Sequence, residues 1–202
     1  MLRKTLFAGA LAASLTLAAA QAQSPRMDAT AQATANSGTM TAADVGVSPL
    51  TGTSTTDYVR LAADSDRYEI ESSKVALHRS QRDDVKKAAK QMIADHTTTT
   101  KTLMAALENP TRKLARPSDM LSDDKASQVQ LLKSAPKADF DTLYLTQQVA
   151  AHKQAWALHK GYATDGDDAA LRQVAATAVP IVEQHLSMTK GMVPVSAAGM
   201  AQ

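Results

Sequence analysis

Residues 84–108 read DVKKAAKQMIADHTTTTKTLMAALE, and the large apolar side chains in this stretch recur at helical spacing. Val85, Met92, Leu103 and Leu107 fall on one side of a helix, while lysines occupy the other side. A strand would instead alternate its two faces at every residue. The stretch therefore predicts an amphipathic α-helix that must bury its apolar side against other elements.

Three further segments have the same period of three to four residues. They are Thr55–Arg79, Asp139–Thr164 and Asp168–Lys190. Each of the four segments is roughly 25 residues long, which corresponds to about 35–39 Å of helix. Four amphipathic helices of similar length predict an all-α protein built as a four-helix bundle.

The connections between these segments predict how the helices are joined. Short polar links at 80–83 and 165–167 favour two antiparallel helix pairs. The link 109–137 between the pairs is long, contains three prolines and is expected to hold a short helix over 122–133. It can run the length of the bundle or fold over one end, and we expect the crossover. Pro180 lies within the fourth segment, and the helical spacing of the apolar residues continues unchanged on both sides of it. One kinked helix is therefore expected rather than two.

The N-terminus has the pattern of a secretory signal. Arg3 and Lys4 precede an uncharged Leu/Ala-rich run, which ends at Ala20-Gln21-Ala22. A basic start, an apolar core and an Ala-x-Ala site predict a signal peptide over residues 1–22, cleaved near Ala22. The alternative is an uncleaved anchor, although the run is short for a membrane span. We expect a periplasmic or secreted protein with no integral membrane span after cleavage.

The remainder of the chain divides by composition. Residues 23–53 are mostly small and polar, so they are predicted to form a flexible low-complexity tether. Residues 54–192 carry the helical periodicity and form the predicted bundle domain. Residues 193–202 are predicted to be a disordered tail.

Charge and composition exclude several functions. Without residues 1–22 the chain has 20 basic and 20 acidic residues, since the signal contains two basic and no acidic ones. This balance, with 3% aromatic residues, gives no reason to expect binding to nucleic acid or to anionic membranes. The absence of cysteine excludes a lipidated N-terminal cysteine, disulfides and thiolate metal sites. No nucleophile–base pairing or phosphate-binding glycine loop is evident, so no enzymatic activity is predicted.

Four polar side chains lie on the inward sides of the predicted helices at similar depth. They are Glu69, His96, His152 and His185, one from each helix. Counted along the helices, all four fall near the middle of the bundle. One inward side chain of this type per helix is the arrangement that a metal site in a bundle core requires. Three imidazoles and a carboxylate suit one divalent transition-metal ion such as zinc, iron or copper.

Two other interpretations of these residues remain open. The four side chains can form a buried hydrogen-bonded network that needs no ion. Alternatively, Met92 pairs with His96, and Met188 with His185, at helical spacing, and thioether with imidazole favours copper(I). The remaining histidines, His78 and His159, are assigned to the surface and to packing.

Several short motifs carry a family resemblance. They are Tyr68-Glu69-Ile70-Glu71, Met92-Ile93-Ala94-Asp95-His96-Thr97, Phe140-Asp141-Thr142-Leu143-Tyr144 with Gln148 and His152, and Val179-Pro180 with His185-Leu186. Together they resemble an exported bacterial family known as domain of unknown function 4142, over about residues 55–192. The resemblance implies a ferritin-like four-helix fold and an envelope location, and it implies no particular reaction.

The sequence departs from di-iron ferritin-like proteins, which carry Glu-x-x-His on two helices. Ile93 and Val182 stand three residues before His96 and His185, where those proteins have glutamate. We therefore expect at most one ion and no di-iron centre. The sequence predicts an exported helical-bundle protein that binds one metal ion or a small ligand in its core. The alternative is a non-catalytic structural or stress-related envelope protein with a protein partner in the envelope.

The signal pattern predicts a new N-terminus in the exported protein. Mass spectrometry of protein isolated from the cell envelope should show a chain that begins near Gln23, because cleavage follows the Ala-x-Ala site. A chain from the same fraction that retains Met1 would contradict cleavage.

Overall fold

Helices account for all the regular structure in the computed structural model, which describes residues 39–108 and 113–194. In chain order they are α1 Ala42–Val45, α2 Thr55–Arg79, α3 Asp83–Leu107, α4 Asp123–Ser134, α5 Phe140–Asp165 and α6 Ala169–Met192. No strand occurs in these residues, and the all-α prediction is confirmed. The predicted signal peptide, residues 23–38 of the predicted tether and residues 195–202 of the predicted tail lie outside the described residues.

The four long helices pack side by side in a ring. α2 and α6 each contact both α3 and α5. Two apolar clusters close the opposite ends of the ring. One contains Tyr58, Leu103, Tyr162 and Leu171, and the other contains Ala76, Val85, Phe140 and Tyr144. Each long helix contributes residues from one end to the first cluster and from its other end to the second. The clusters therefore show the direction of each helix, and every helix runs antiparallel to its two neighbours.

The connection between α3 and α5 travels from one end of the ring to the other. Leu114 packs against the cluster around Tyr58, whereas Leu132 belongs to the cluster around Phe140. Between them, the hydroxyl and backbone N–H of Ser122 donate to Asp64 on α2 at 2.7 and 2.9 Å. The expected crossover and its short helix are therefore both present, with the helix at Asp123–Ser134 rather than 122–133.

The fourth long helix, α6, continues through Pro180, as the unbroken spacing of its apolar residues predicts. Its first turn is capped by Asp168, whose carboxylate accepts from the N–H groups of Ala170 and Leu171 at 2.9 and 3.0 Å. These bonds satisfy two of the N–H groups that have no partner at the start of a helix.

Residues 39–53 differ from the prediction of a flexible tether, because they pack against α5 and α6. Val45 is buried and contacts the cluster that contains Trp156 and Val182. The backbone N–H groups of Thr39 and Met40 donate to the Glu183 carboxylate at 2.7 and 3.1 Å. The large apolar residues of this segment, Met40, Val45, Val47 and Leu50, follow neither the helical nor the strand period. The carboxylate that accepts from the backbone lies 144 positions away. Local composition therefore could not show this docking.

A glycine on α5 allows the docked segment to cross the helix closely. The N–H of Leu50 donates to the carbonyl of Ala157 at 2.8 Å. A Cβ atom at Gly161 would lie 2.0 Å from the carbonyl oxygen of Leu50. Any side chain at this position would force the segment away from the helix.

Two glycine-to-alanine substitutions should have opposite effects. Gly161→Ala is expected to lower the free energy of unfolding by about 1–3 kcal/mol, because the new methyl group must displace backbone. Gly191→Ala in α6 meets no atom within 4 Å. It should be neutral or stabilise by up to about 1 kcal/mol through helix propensity. Urea unfolding followed by circular dichroism compares the two variants, and equal effects would contradict the close crossing at Gly161.

Candidate metal centre

Three buried imidazole rings converge at mid-height between three helices. His96 comes from α3, His152 from α5 and His185 from α6, and one ring nitrogen of each lies within 4.8 Å of the other two. All three residues are at most 2% exposed. The structure thus brings together three of the four side chains that the sequence singles out.

The back of the His96 ring is held by Asp66. Nδ1 of His96 lies 2.8 Å from Oδ1 of Asp66, whose other oxygen accepts from Thr99 and Thr100 at 2.8 and 3.1 Å. Burial alone lowers the pKa of His96, but the hydrogen bond and charge of Asp66 outweigh it and raise the pKa overall. Since Nδ1 is engaged by Asp66, Nε2 is the free ring nitrogen, and it is buried with no hydrogen-bond partner.

The tautomer of His152 follows from its backbone partner. Nδ1 lies 2.8 Å from the carbonyl oxygen of Gln148 one turn earlier. A carbonyl can only accept, so Nδ1 carries the proton and Nε2 has a lone pair. Burial, reinforced by the charge of His96, lowers the pKa of His152 to about 3. The ring is therefore neutral at ordinary pH.

His185 has the opposite tautomer to His152, with the proton on Nε2. Its Nε2 lies 2.9 Å from Oδ2 of Asp95, and because a carboxylate accepts, Nε2 carries the proton and Nδ1 has the lone pair. Burial lowers the pKa of His185, as does the neighbouring His152. Nδ1 of His185 lies 3.3 Å from Nε2 of His152. Two nitrogen lone pairs therefore face each other inside the core.

Glu69 lies beside the cluster rather than at its convergence point. Its Oε1 is 3.8 Å from Nδ1 of His152, the ring atom that binds the Gln148 carbonyl. The residue is 1% exposed, and neither carboxylate oxygen has a hydrogen-bond partner. Burial raises its pKa, against the opposing charge of His96. The carboxylate is thus a buried acidic neighbour of the three imidazoles.

Two carboxylates that contact the histidines are missing from the sequence prediction. Asp95 falls about 100° from the inward side of α3 on a helical projection, yet its side chain reaches His185 on the neighbouring helix. Asp66 stands three residues before Glu69, so both face the core from one side of α2. That spacing was the available sequence signal for Asp66. The contact of Asp95 with His185 depends on how α3 and α6 pack against each other, and this packing cannot be deduced from the sequence pattern.

The other two histidines lie outside the cluster. His78 is exposed, whereas His159 is buried with Nδ1 3.2 Å from the hydroxyl of Tyr58. A cavity of about 50 Å³ adjoins His159 and Asp66. Met92 is fully buried and Met188 is partly buried. The alternative in which these two methionines bind copper(I) together with His96 and His185 stays a hypothesis.

The fold and site define an all-helical protein whose core holds a cluster of imidazoles backed by carboxylates. The sequence model of Domain of unknown function (DUF4142) matches residues 37–192, and the chain belongs to this family. The match confirms the resemblance and includes the docked segment 39–53. Comparison with curated proteins and with solved structures finds no match. Across the described ranges, no helix is both long and apolar enough to cross a membrane.

Burial of His159 predicts a pH dependence that is separate from the cluster. Burial lowers its pKa to about 4 from an unfolded value of 6.5, partly opposed by the charge of Asp66. Between pH 6.5 and 4, His159 is therefore protonated in the unfolded chain but neutral in the folded protein. Stability is lost at up to about 1.4 kcal/mol per pH unit until pH approaches 4.

The measurement compares the wild-type protein with His159→Gln. From pH 7 to 4.5 the unfolding free energy of the wild type should fall by about 2–3 kcal/mol more than that of the variant. Urea titrations at both pH values provide the comparison. A wild-type–variant difference that does not change with pH would mean that His159 is not held neutral.

Proposed function

We propose that the protein is an exported, ferritin-like four-helix-bundle protein that binds one divalent transition-metal ion in its core. The ligands are Nε2 of His96, Nε2 of His152 and Nδ1 of His185. The observation that carries the proposal is the pair of lone-pair nitrogens, on His152 and His185, that face each other at 3.3 Å.

This separation matches two ligands of one tetrahedral ion. Zinc–nitrogen bonds are about 2.0–2.1 Å long, and tetrahedral angles then place two nitrogens about 3.3–3.4 Å apart. A direct hydrogen bond between His152 and His185 would need a proton on one of the facing atoms. The Gln148 carbonyl and Asp95 hold the protons at the opposite ring nitrogens. A cation between the facing nitrogens removes their repulsion.

The groups behind the rings also support metal binding. Each histidine directs its other nitrogen to an acceptor, namely Asp66, the Gln148 carbonyl or Asp95. Metal-bound histidines almost always have such a partner, which fixes the tautomer and makes the free nitrogen more basic.

The free nitrogen of His96 provides a further argument. It is buried without a hydrogen-bond partner, and leaving such an atom unsatisfied costs about 1–3 kcal/mol. An ion at the convergence point supplies a partner for it, as well as for the two facing nitrogens.

Charge and ligand type favour a divalent ion. The negative charges of Asp66 and Asp95 together balance an ion of charge two bound by neutral imidazoles, while burial raises the pKa of Glu69 and so favours its neutral form. Nitrogen ligands suit zinc, iron(II) and copper(II). The absence of glutamate three residues before His96 and His185 favours one ion over a di-iron pair.

Two other parts of the proposal rest on different observations. The antiparallel ring with a crossover between its helix pairs supports the ferritin-like description. The signal pattern at residues 1–22 supports export to the periplasm, where the protein would meet ions and envelope proteins.

Added metal should stabilise the folded protein, because the unfolded chain does not assemble the site. An ion at one hundred times its Kd adds about 2.7 kcal/mol, or roughly 5–11 °C in Tm for a chain of this size. His152→Gln and His185→Gln should abolish the increase. His78→Gln, at the surface, and His159→Gln, in the core outside the site, should retain it. Calorimetry with zinc, iron(II) and copper(II) measures the effect.

The buried-network alternative predicts the reverse pattern. No metal would change Tm, and His152→Gln or His185→Gln would destabilise the protein by about 1–3 kcal/mol by leaving buried partners unsatisfied. That result would point to a non-catalytic structural or interaction protein of the envelope.

A further inference from the structure

The imidazole cluster is closed to solvent. The side chains of His152 and His185 are 0% exposed and that of His96 is 3% exposed. If the cluster binds an ion, as proposed above, the ion must reach it past a group at the surface.

The three acceptors behind the histidines differ in their contact with water. The side chain of Asp95 is 36% exposed, compared with 8% for Asp66. Gln148, whose carbonyl holds His152, is fully buried. Of the three acceptors, Asp95 is therefore the one most exposed to water.

A single ring separates Asp95 from the cluster. Its Oδ2 lies 2.9 Å from Nε2 of His185, and Nδ1 of the same ring lies 3.3 Å from His152. Within the described residues, Oδ1 of Asp95 makes no hydrogen bond, so one carboxylate oxygen is available to a cation. We propose that Asp95 captures a hydrated divalent cation at the surface and holds it beside the His185 ring until the cation enters the cluster, so that Asp95 sets the rate of ion uptake.

The cavity beside Asp66 is the competing route. It holds about 50 Å³ and is walled mainly by apolar groups, with Asp66 among its lining residues. Both oxygens of Asp66 are already engaged, by His96 on one side and by Thr99 and Thr100 on the other. Asp66 therefore positions His96 but has no oxygen left to capture an ion.

Stopped-flow uptake of cobalt(II), followed by its visible absorption, separates the two routes. Asp95→Asn should slow association about tenfold and weaken its dependence on salt, because a carboxylate that attracts the cation is removed. Asp66→Asn should speed dissociation more than it slows association, because Asp66 orients the ligand His96 and does not receive the incoming ion. Asp83→Asn is the matched control, since this exposed aspartate lies on the same helix about 18 Å away.

Asp95→Glu keeps the carboxylate and should retain rapid, salt-dependent uptake, which separates capture from an effect on folding. Unchanged association in Asp95→Asn, or slow association in Asp66→Asn instead, would overturn the capture role while leaving the metal site intact. Failure of the wild-type protein to take up cobalt would overturn both this role and the proposed function.

Discussion

A polar side chain that enters a helical core loses its water, so it must find a partner there or destabilise the fold. In this protein the constraint operates at one level of the helix ring, where three histidines lie together with Asp66, Glu69 and Asp95. The back of each imidazole is satisfied by a carboxylate or a carbonyl oxygen. The inward nitrogens face one another. The helices are thus joined at mid-height by polar contacts and at each end by apolar clusters.

The arrangement of the helices makes this possible. Because neighbours are antiparallel and of similar length, positions near the middle of one helix lie beside positions near the middle of the next. His96, His152 and His185 therefore meet although they are far apart in sequence. Asp66 joins them for the same reason, since it lies near mid-height on α2.

Helical periodicity was enough to predict four long helices and the inward placement of Glu69 and the three histidines, while the crossover was expected from the length of the 109–137 link. The same periodicity also placed Pro180 inside a continuous helix. Helical periodicity does not predict a contact that depends on the rotation of one helix against another, as for Asp95, whose helical projection lies about 100° from the inward side of α3. It fails equally at residues 39–53, where docking depends on Gly161 and Glu183 more than 100 positions away. Composition reports whether a segment can form a core of its own, and not whether an existing surface will accept it.

The docking of residues 39–53 brings the two ends of the domain together. The Lys190 ammonium donates to the carbonyl of Asp44 at 3.1 Å, and Glu183 holds the backbone at Thr39 and Met40. Because a chain is made from its N-terminus, this segment is complete before α6, the helix that holds it in the folded domain. Docking of the segment therefore waits for the last helix, since Glu183 and Lys190 both lie in α6. The same proximity means that the ends can be joined by a short linker and the chain reopened elsewhere, for example at the 80–82 turn.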